Sequence, residues 1–169
     1  MRVLGIDPGY AIVGYGCLDY AAGRFHVAAY DAITTEAHTD FGTRLVRIYD
    51  EMTRILDRYK PDAMSVEKLY FTNNVTTGIA VAQARGCILL AAEKAGVPVF
   101  EYTPPQIKQA VTGYGGAEKR QMIAMTTRLL GLAEPPQPDD VADALAAAIC
   151  HANTAGSLLD RLNTGGNAL

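Results

Sequence analysis

The sequence predicts an α/β fold in which a mixed five-stranded sheet is flanked by helices. Three stretches rich in Val, Ile, Tyr and Thr open the chain, and short Gly-containing turns separate them, which is typical of an antiparallel meander. Two further strand-like stretches are joined through helical ones, which is typical of parallel pairing. The chain has 169 residues, of which 49% are hydrophobic and 20% charged, so it can form one domain with an ordinary core.

The three opening strands are expected at residues 2–7, about 11–20 and about 24–34, with the turns PGY and AAG between them. Leu4 and Ile6 make the first strand apolar, which favours a place at the centre of the sheet.

A helix is expected next, at about 40–59, because its apolar residues recur with the 3.6-residue helical period. Thr39 or Asp40 can cap its start, and Pro61 ends it and leads into a fourth strand at 62–67.

The second half of the chain completes the pattern and ends in a Gly- and Asn-rich tail. We expect a helix at 76–95, a strand at 97–102, a short helix that starts at Pro104, a helix at 117–130 and a last helix at 139–152. The sequence therefore predicts one domain over residues 1–153 and a disordered tail over 154–169.

Composition limits the class of protein. No apolar stretch approaches the length of a membrane span, and the first residues lack a secretory pattern, so we expect a cytoplasmic protein. Three Cys without a CxxC motif suit a reducing compartment, and three His without ligand spacing disfavour structural zinc. The net charge of −3 argues against a protein that binds nucleic acid through overall charge, although residues 102–130 are locally basic.

Four carboxylates lie at the edges of stretches that we expect to be core. Asp7 ends the first strand, and Glu67 ends the apolar run AMSVE. Asp140 and Asp143 open the nearly all-apolar helix PDDVADALAAAIC and share one helix face. Buried carboxylates are costly unless they are paired or bound to metal. If the strand ends and the last helix meet, a divalent cation is the natural partner for all four.

Each carboxylate also has a simpler interpretation. Asp7 precedes Pro-Gly and can belong to an Asx-type turn, and Glu67 can be a surface charge. Asp139 is the better candidate for the helix N-cap, and Asp140 can favour the helix dipole. Asp143 fits this interpretation least well, since its neighbours are apolar.

Oxygen ligands without His or Cys favour Mg²⁺ or Mn²⁺ over zinc. Two such ions suit phosphodiester hydrolysis, in which one activates a water and the other stabilises the leaving 3′ oxygen. Repulsion within the unliganded cluster predicts a raised pKa for at least one of the carboxylates.

Several motifs resemble those of the RuvC family of bacterial Holliday-junction resolvases. LGIDPG, the strand-ending Glu67 before an aromatic segment, QARG, AEK and DVADALAAAICH occur in the order and spacing of that family, from Met1 to about His151. The resemblance implies a ribonuclease-H-like fold and a homodimer. It also implies that the protein cuts two opposing strands of a four-way DNA junction symmetrically, with Mg²⁺ or Mn²⁺, leaving 5′-phosphate and 3′-hydroxyl ends. Homologous recombination, DNA repair and a RuvA–RuvB branch-migration partner are implied as well.

By this resemblance, the catalytic and metal-binding residues are Asp7, Glu67, Asp140 and Asp143. The junction-contacting aromatic is Tyr70, within LYFTNN, where a large ring could also stack on exposed bases. Basic DNA contacts are implied at Lys108 and Lys119. The residues themselves add Arg120 as a further cation able to neutralise phosphate, or equally as an ordinary exposed helix residue.

Two other functions remain open on the residues alone. A kinase or ATPase of the same superfold would carry a second domain and a second Gly-rich phosphate loop, and the sequence has neither. A non-catalytic junction-binding module would tolerate Ala or Asn at Asp7. For a dimer, the second helix has enough apolar surface to serve both the core and an interface.

Overall fold

The structure, a computed structural model, describes residues 1–69 and 75–164, without the side chains of residues 75, 76 and 157–164. Its strands are β1 (Arg2–Asp7), β2 (Ile12–Ala21), β3 (Arg24–Thr34), β4 (Ala63–Glu67) and β5 (Val99–Tyr102). Its helices are α1 (Phe41–Tyr59), α2 (Val75–Lys94), α3 (Pro104–Thr112), α4 (Lys119–Leu129) and α5 (Asp139–Thr164).

The strands form one mixed sheet in the order β3-β2-β1-β4-β5. β1 lies at the centre, antiparallel to β2 and parallel to β4, while β3 pairs antiparallel with β2 and β5 pairs parallel with β4. This confirms the predicted architecture of three antiparallel strands followed by parallel ones.

The hydrophobic core has two parts, one on each face of the sheet, because successive side chains of a strand point to opposite faces. Leu4 and Ile6 of β1 pack with the buried residues of α1 and α2, whereas Val3 packs with those of α3, α4 and α5. Because side chains on a strand point alternately to the two faces, Asp7 lies on the same face as Val3. The end of β1 therefore presents its carboxylate toward α5.

Helix α5 lies directly on the backbone of β1 and β2, because the strand positions beneath it are glycines. A methyl group at Gly5 would overlap the carbonyl oxygen of Ala144 and lie 2.7 Å from the backbone nitrogen of Ala148. A methyl group at Gly16 would lie 2.5 Å from a side-chain carbon of Leu145. Glycine at these positions sets how closely α5 approaches the sheet.

The end of one helix differs from the prediction. α5 continues to Thr164 rather than ending near residue 152, and Gly156 allows it to pack against the ring of Tyr20. α1 has the predicted bounds and Asp40 holds its N-cap position, but the Asp40 side chain makes no capping hydrogen bond. The domain boundary at residue 153 stays a prediction. Among the described residues, no helix is both long enough and apolar enough to cross a bilayer.

Candidate active site

The ends of β1 and β4 bring two of the predicted carboxylates side by side. Ile6 of β1 pairs with Val66 of β4, and the next residue of each strand is Asp7 and Glu67 respectively. Both follow a residue of the α1–α2 face, so both lie on the α5 side of the sheet.

The first turn of α5 brings the other pair over the same end of the sheet. Gly14 pairs with Asp7 across β1 and β2, and a methyl group at Gly14 would overlap the carbonyl oxygen of Asp140. The backbone of Asp140 therefore rests beside the end of β1. Asp143 follows on the same helix face. The close approach of α5, rather than any loop, positions both residues.

A buried hydrogen bond fixes the register between β4 and α5. The hydroxyl of Ser65 donates to the carbonyl oxygen of Ala147 at 2.7 Å, and Ser65 has no exposed surface. Ser65 lies two residues before Glu67, and Ala147 lies one helical turn after Asp143. This bond therefore links the two elements that carry facing carboxylates.

The four carboxylates act on one another electrostatically. Burial, followed by the charges of Asp143, Asp140 and Glu67, raises the pKa of Asp7 to about 7. Burial and the charge of Asp143 also raise the pKa of Glu67, while Lys108 and Lys119 oppose that rise. The expectation that at least one carboxylate would have a raised pKa is confirmed, and burial is its largest cause.

Lys119, the first residue of α4, supplies the nearest cation. Its Nζ lies 3.0 Å from Oδ2 of Asp143 and 3.5 Å from Oδ2 of Asp139. Partial burial lowers the pKa of Lys119, but the two carboxylates outweigh it, so that pKa is raised. Asp139 is itself the first residue of α5, so the predicted N-cap role is wrong, and its carboxylate faces Lys119 instead.

A cavity of about 230 Å³ opens beside these groups. Its charged lining residues are Glu67, Asp143, Lys108 and Lys119. The rest of the lining is apolar or comes from the start of α3: Pro104, Ile107 and Met122. The cavity thus joins two of the predicted carboxylates to both predicted lysines.

The donor set fits a hard divalent cation, since it offers carboxylate oxygens whose mutual repulsion a cation would relieve. Within residues 1–69 and 75–164, however, no three acidic, His or Cys side chains are gathered closely enough to form a preformed metal-binding group. The ammonium of Lys119 stands instead where a cation would satisfy Asp143. Cation binding would therefore draw the carboxylates together and displace that ammonium.

Of the other predicted contacts, Arg120 is exposed and has no ion-pair partner among the described residues, which fits either interpretation of it. Tyr70 lies outside the described residues.

The sequence did not predict one hydrogen bond near the site, which joins β5 to α5. Tyr102 pairs with Glu67 across β4 and β5, and its hydroxyl lies 2.8 Å from Nδ1 of His151. His151 is buried on α5 beside the ring of Phe100, and its burial lowers its pKa. The bond ties β5 to the helix that carries Asp143. A lone histidine in an otherwise apolar helix was the only signal of it in the sequence.

The pKa of Asp7 leads to a prediction about pH. Cation binding to the free protein is expected to weaken below about pH 7, by up to about tenfold per pH unit, because the proton on Asp7 must leave first. Titration calorimetry with Mn²⁺ at several pH values would measure this. Buffers of different ionisation enthalpy would report the released proton near neutrality. An affinity that stays constant across this range would contradict the prediction.

Comparison with known proteins places this arrangement in a family. The family model for the crossover junction endodeoxyribonuclease RuvC matches residues 3–151. The RuvC of Brevibacillus brevis is 59% identical over 152 residues, covering 90% of this chain and 92% of the relative. The solved structure of Thermus thermophilus RuvC has a TM-score of 0.85 at 36% identity, covering 93% of this chain and 96% of that one. A second structure of that protein, in complex with Holliday junction substrate, has the same TM-score at 34% identity and the same coverage. The chain therefore belongs to the RuvC family of crossover junction endodeoxyribonucleases.

Proposed function

We propose that this chain is an endonuclease that resolves four-way DNA junctions by metal-dependent hydrolysis of two phosphodiester bonds, leaving 5′-phosphate and 3′-hydroxyl ends. The observation that carries the proposal is the electrostatic coupling of four carboxylates at one end of the sheet, beside two lysines. Family membership supports the reaction type, and the junction complex of the Thermus thermophilus relative supports the substrate.

In this proposal Asp7, Glu67, Asp140 and Asp143 hold two Mg²⁺ or Mn²⁺ ions, which when bound supply an activated water and stabilisation of the leaving 3′ oxygen. The residues themselves perform the remaining tasks. Asp7 gives up its proton near neutral pH before its carboxylate can act as a ligand. Asp7 is only partly exposed, and part of the cavity lining is apolar. Because less water surrounds the charges there, each charge interaction in the site is stronger than it would be in water.

Lys108 and Lys119 are proposed to bind the phosphates on either side of the scissile bond. Both line the cavity that contains Glu67 and Asp143. The ammonium of Lys119, which pairs with Asp143 in the free protein, can pair with a backbone phosphate without moving far from the site.

The two lysines lead to a prediction about salt dependence. Lys108→Gln and Lys119→Gln are each expected to reduce the slope of log affinity against log salt by about one, since each removes one phosphate contact. Junction binding measured without divalent cations at several salt concentrations would show this. Lys60→Gln is the matched control, because Lys60 follows α1 at the opposite end of the sheet. An unchanged slope in both active-site variants would contradict the phosphate contacts.

We also propose a homodimer, whose two-fold related sites would face two strands of a pseudo-symmetric junction. Exposed apolar side chains on α2 support it, since Ile79 and Leu90 are 52% and 54% exposed. Arg85 of α2 pairs with Glu101 of the same chain, and this ion pair ties α2 to β5.

The dimer proposal predicts that Ile79→Glu gives a monomer. A charged side chain in the centre of an apolar interface would lose the burial that holds the subunits together. Sedimentation velocity at micromolar concentration would measure the change. Val46→Glu is the control, because Val46 is 59% exposed and lies on α1 rather than on α2. Wild-type protein that sediments as a monomer in physiological salt would contradict the dimer.

Cooperation with the RuvA–RuvB complex and action in the cytoplasm are further parts of the proposal, and both rest on the family alone.

One experiment tests the proposed function directly. The purified protein is incubated with labelled four-way, three-way and linear DNA, with and without Mg²⁺ or Mn²⁺, and the nicks are mapped. We expect symmetric nicks in the four-way junction that need the metal. Turnover of ATP without DNA would instead support a kinase or ATPase. Junction binding without nicks under all metal conditions would support a binding module.

A further inference from the structure

An exposed tyrosine lies on the loop between α3 and α4. Tyr114 is 66% exposed, the most exposed of the large hydrophobic side chains in the described part of the chain. A single exposed apolar residue is common on protein surfaces and needs no explanation by itself. The significance of Tyr114 depends on how firmly it is held and on what lies beside it.

The backbone of this loop is fixed by hydrogen bonds on both sides of the tyrosine. The N–H of Tyr114 donates to the hydroxyl of Thr112 at 3.2 Å, and its carbonyl accepts from the N–H of Ala117 at 3.2 Å. The side-chain amide of Gln109 donates to the carbonyl of Gly113 at 2.9 Å, and Gly113 has the positive φ of 75° that glycine favours. The ring is therefore presented by an ordered turn, which lowers the entropy lost on binding.

Glycines fold the loop back toward the candidate active site. A methyl group at Gly116 would lie 2.7 Å from the ring of Tyr114, so the ring lies against the backbone of its own loop. A methyl group at Gly115 would lie 3.4 Å from the carbonyl oxygen of Pro105, in the first turn of α3. The preceding residue, Pro104, lines the same cavity as Glu67. Tyr114 therefore lies near the rim of that cavity.

Cations flank the tyrosine in sequence. Lys108 and Lys119, on the two helices that the loop connects, line the cavity, and Arg120 is exposed on α4. An exposed aromatic ring among cations is the arrangement by which proteins bind single-stranded or opened DNA, with phosphates on the cations and a base on the ring.

We propose that the ring of Tyr114 stacks on a nucleobase of the junction near the strand that is cut. This inference rests on the proposed junction-cleaving function and adds to it a base contact outside the four carboxylates and the lysines. Stacking uses the ring face, so the hydroxyl is dispensable and any base is acceptable.

The chain has no tryptophan, so Tyr114→Trp introduces a single fluorophore at the site in question. Its emission is expected to be quenched when a four-way junction is added without divalent cations, because a stacked base quenches indole. Tyr30→Trp is the matched control, since Tyr30 is 41% exposed on the edge strand β3. Its emission is expected to stay unchanged as the junction binds.

Affinity measurements separate stacking from charge. Tyr114→Ala is expected to weaken junction binding about tenfold, and Tyr114→Phe to bind as the wild type does, because Phe keeps the ring face. The slope of log affinity against log salt is expected to stay unchanged in both variants, since neither removes a phosphate contact.

The outcomes separate the inference from the proposed function. If wild-type protein binds the junction but Tyr114→Ala binds equally well and Tyr114→Trp is not quenched, the stacking contact is refuted and the function stands. Quenching together with weaker binding of the Ala variant supports the contact. If wild-type protein binds no junction, the proposed function fails, and this contact fails with it.

Discussion

Asp7→Asn is expected to abolish cleavage of four-way junctions in Mg²⁺ while junction affinity stays close to that of the wild type. Asn has the size of Asp but carries no charge, so one oxygen ligand of the proposed cation site is weakened and its negative charge is lost. Loss of one group that acts electrostatically on the reacting atoms lowers a rate by about a hundredfold to a thousandfold, and loss of a ligand shared between ions adds to this. Binding persists because the phosphate contacts come from lysines elsewhere.

Although Asp7→Asn is expected to lose activity, the same variant is expected to be more stable than the wild type when no metal is present. The pKa of Asp7 is raised from 3.8 to about 7, so between these values the folded state holds a proton that the unfolded state has lost. The stability contributed by this group is therefore fully present below about pH 4 and falls as pH rises toward 7, by at most about 4 kcal/mol. Asn undergoes no such loss. Metal-free Asp7→Asn is thus expected to melt above the wild type at about pH 8, with the difference shrinking toward pH 5.

Three measurements test these expectations for Asp7→Asn: gel-mapped cleavage, junction binding without divalent cations, and thermal melting with and without Mn²⁺. Mn²⁺ is expected to raise the melting temperature of the wild type more than that of the variant. Asp50→Asn serves as the control, because Asp50 is exposed on α1, and it is expected to match the wild type in all three. Cutting by Asp7→Asn at near the wild-type rate would refute the catalytic assignment.

The strands of this fold and the directions in which they pair could be predicted because local patterns determine them. Alternating apolar residues and Gly-containing turns define β1, β2 and β3, and a helix between β4 and β5 requires parallel pairing. The end of α5 was predicted less well. Helix ends depend on tertiary contacts, such as that of Gly156 with Tyr20, and those are absent from any sequence window.

The placement of Asp7 and Glu67 at one end of the sheet could be predicted for a similar reason. Parallel strands end at the same edge of a sheet, so the pairing of β1 with β4 brings these two residues side by side. The ion pair of Lys119 with Asp143 could not be predicted, since it depends on how α4 packs against α5. Nor could the hydrogen bond between Tyr102 and His151, which joins residues 49 positions apart.

The largest effect on architecture is expected from Gly14→Ala. A methyl group there would overlap the carbonyl oxygen of Asp140 and lie 2.9 Å from the backbone nitrogen of Val141. Both are backbone atoms in the first turn of α5, so no side-chain rotation can relieve the clash, and the helix must move away from the sheet. Overpacking of this kind costs about 1–3 kcal/mol of stability.

The displacement would also separate the carboxylates of α5 from those of the sheet. A misplacement of about 1 Å in catalytic groups lowers a rate by about a hundredfold, so Gly14→Ala is expected to lose at least that much cleavage activity even where it is fully folded. Urea unfolding would report the stability. Calorimetry with Mn²⁺ would report whether the site still binds a cation, with the expectation that affinity falls. Junction binding without divalent cations is expected to change far less, because Lys108 and Lys119 lie on α3 and α4 and not on α5.

Gly42→Ala is the matched control, because nothing lies within 4 Å of a methyl group at that position, in the first turn of α1. Replacing an unhindered helical glycine by alanine stabilises a protein by roughly 0.5–1 kcal/mol, so this variant is expected to melt slightly higher and to cut normally. If Gly14→Ala retained wild-type stability, Mn²⁺ affinity and cleavage, the packing of α5 on a glycine surface would not be what positions Asp140 and Asp143. If stability fell but cation affinity and cleavage per folded molecule did not, the glycine would serve the fold alone. Loss of all three, beside a normal Gly42→Ala, would show that the close contact between α5 and β2 builds the site.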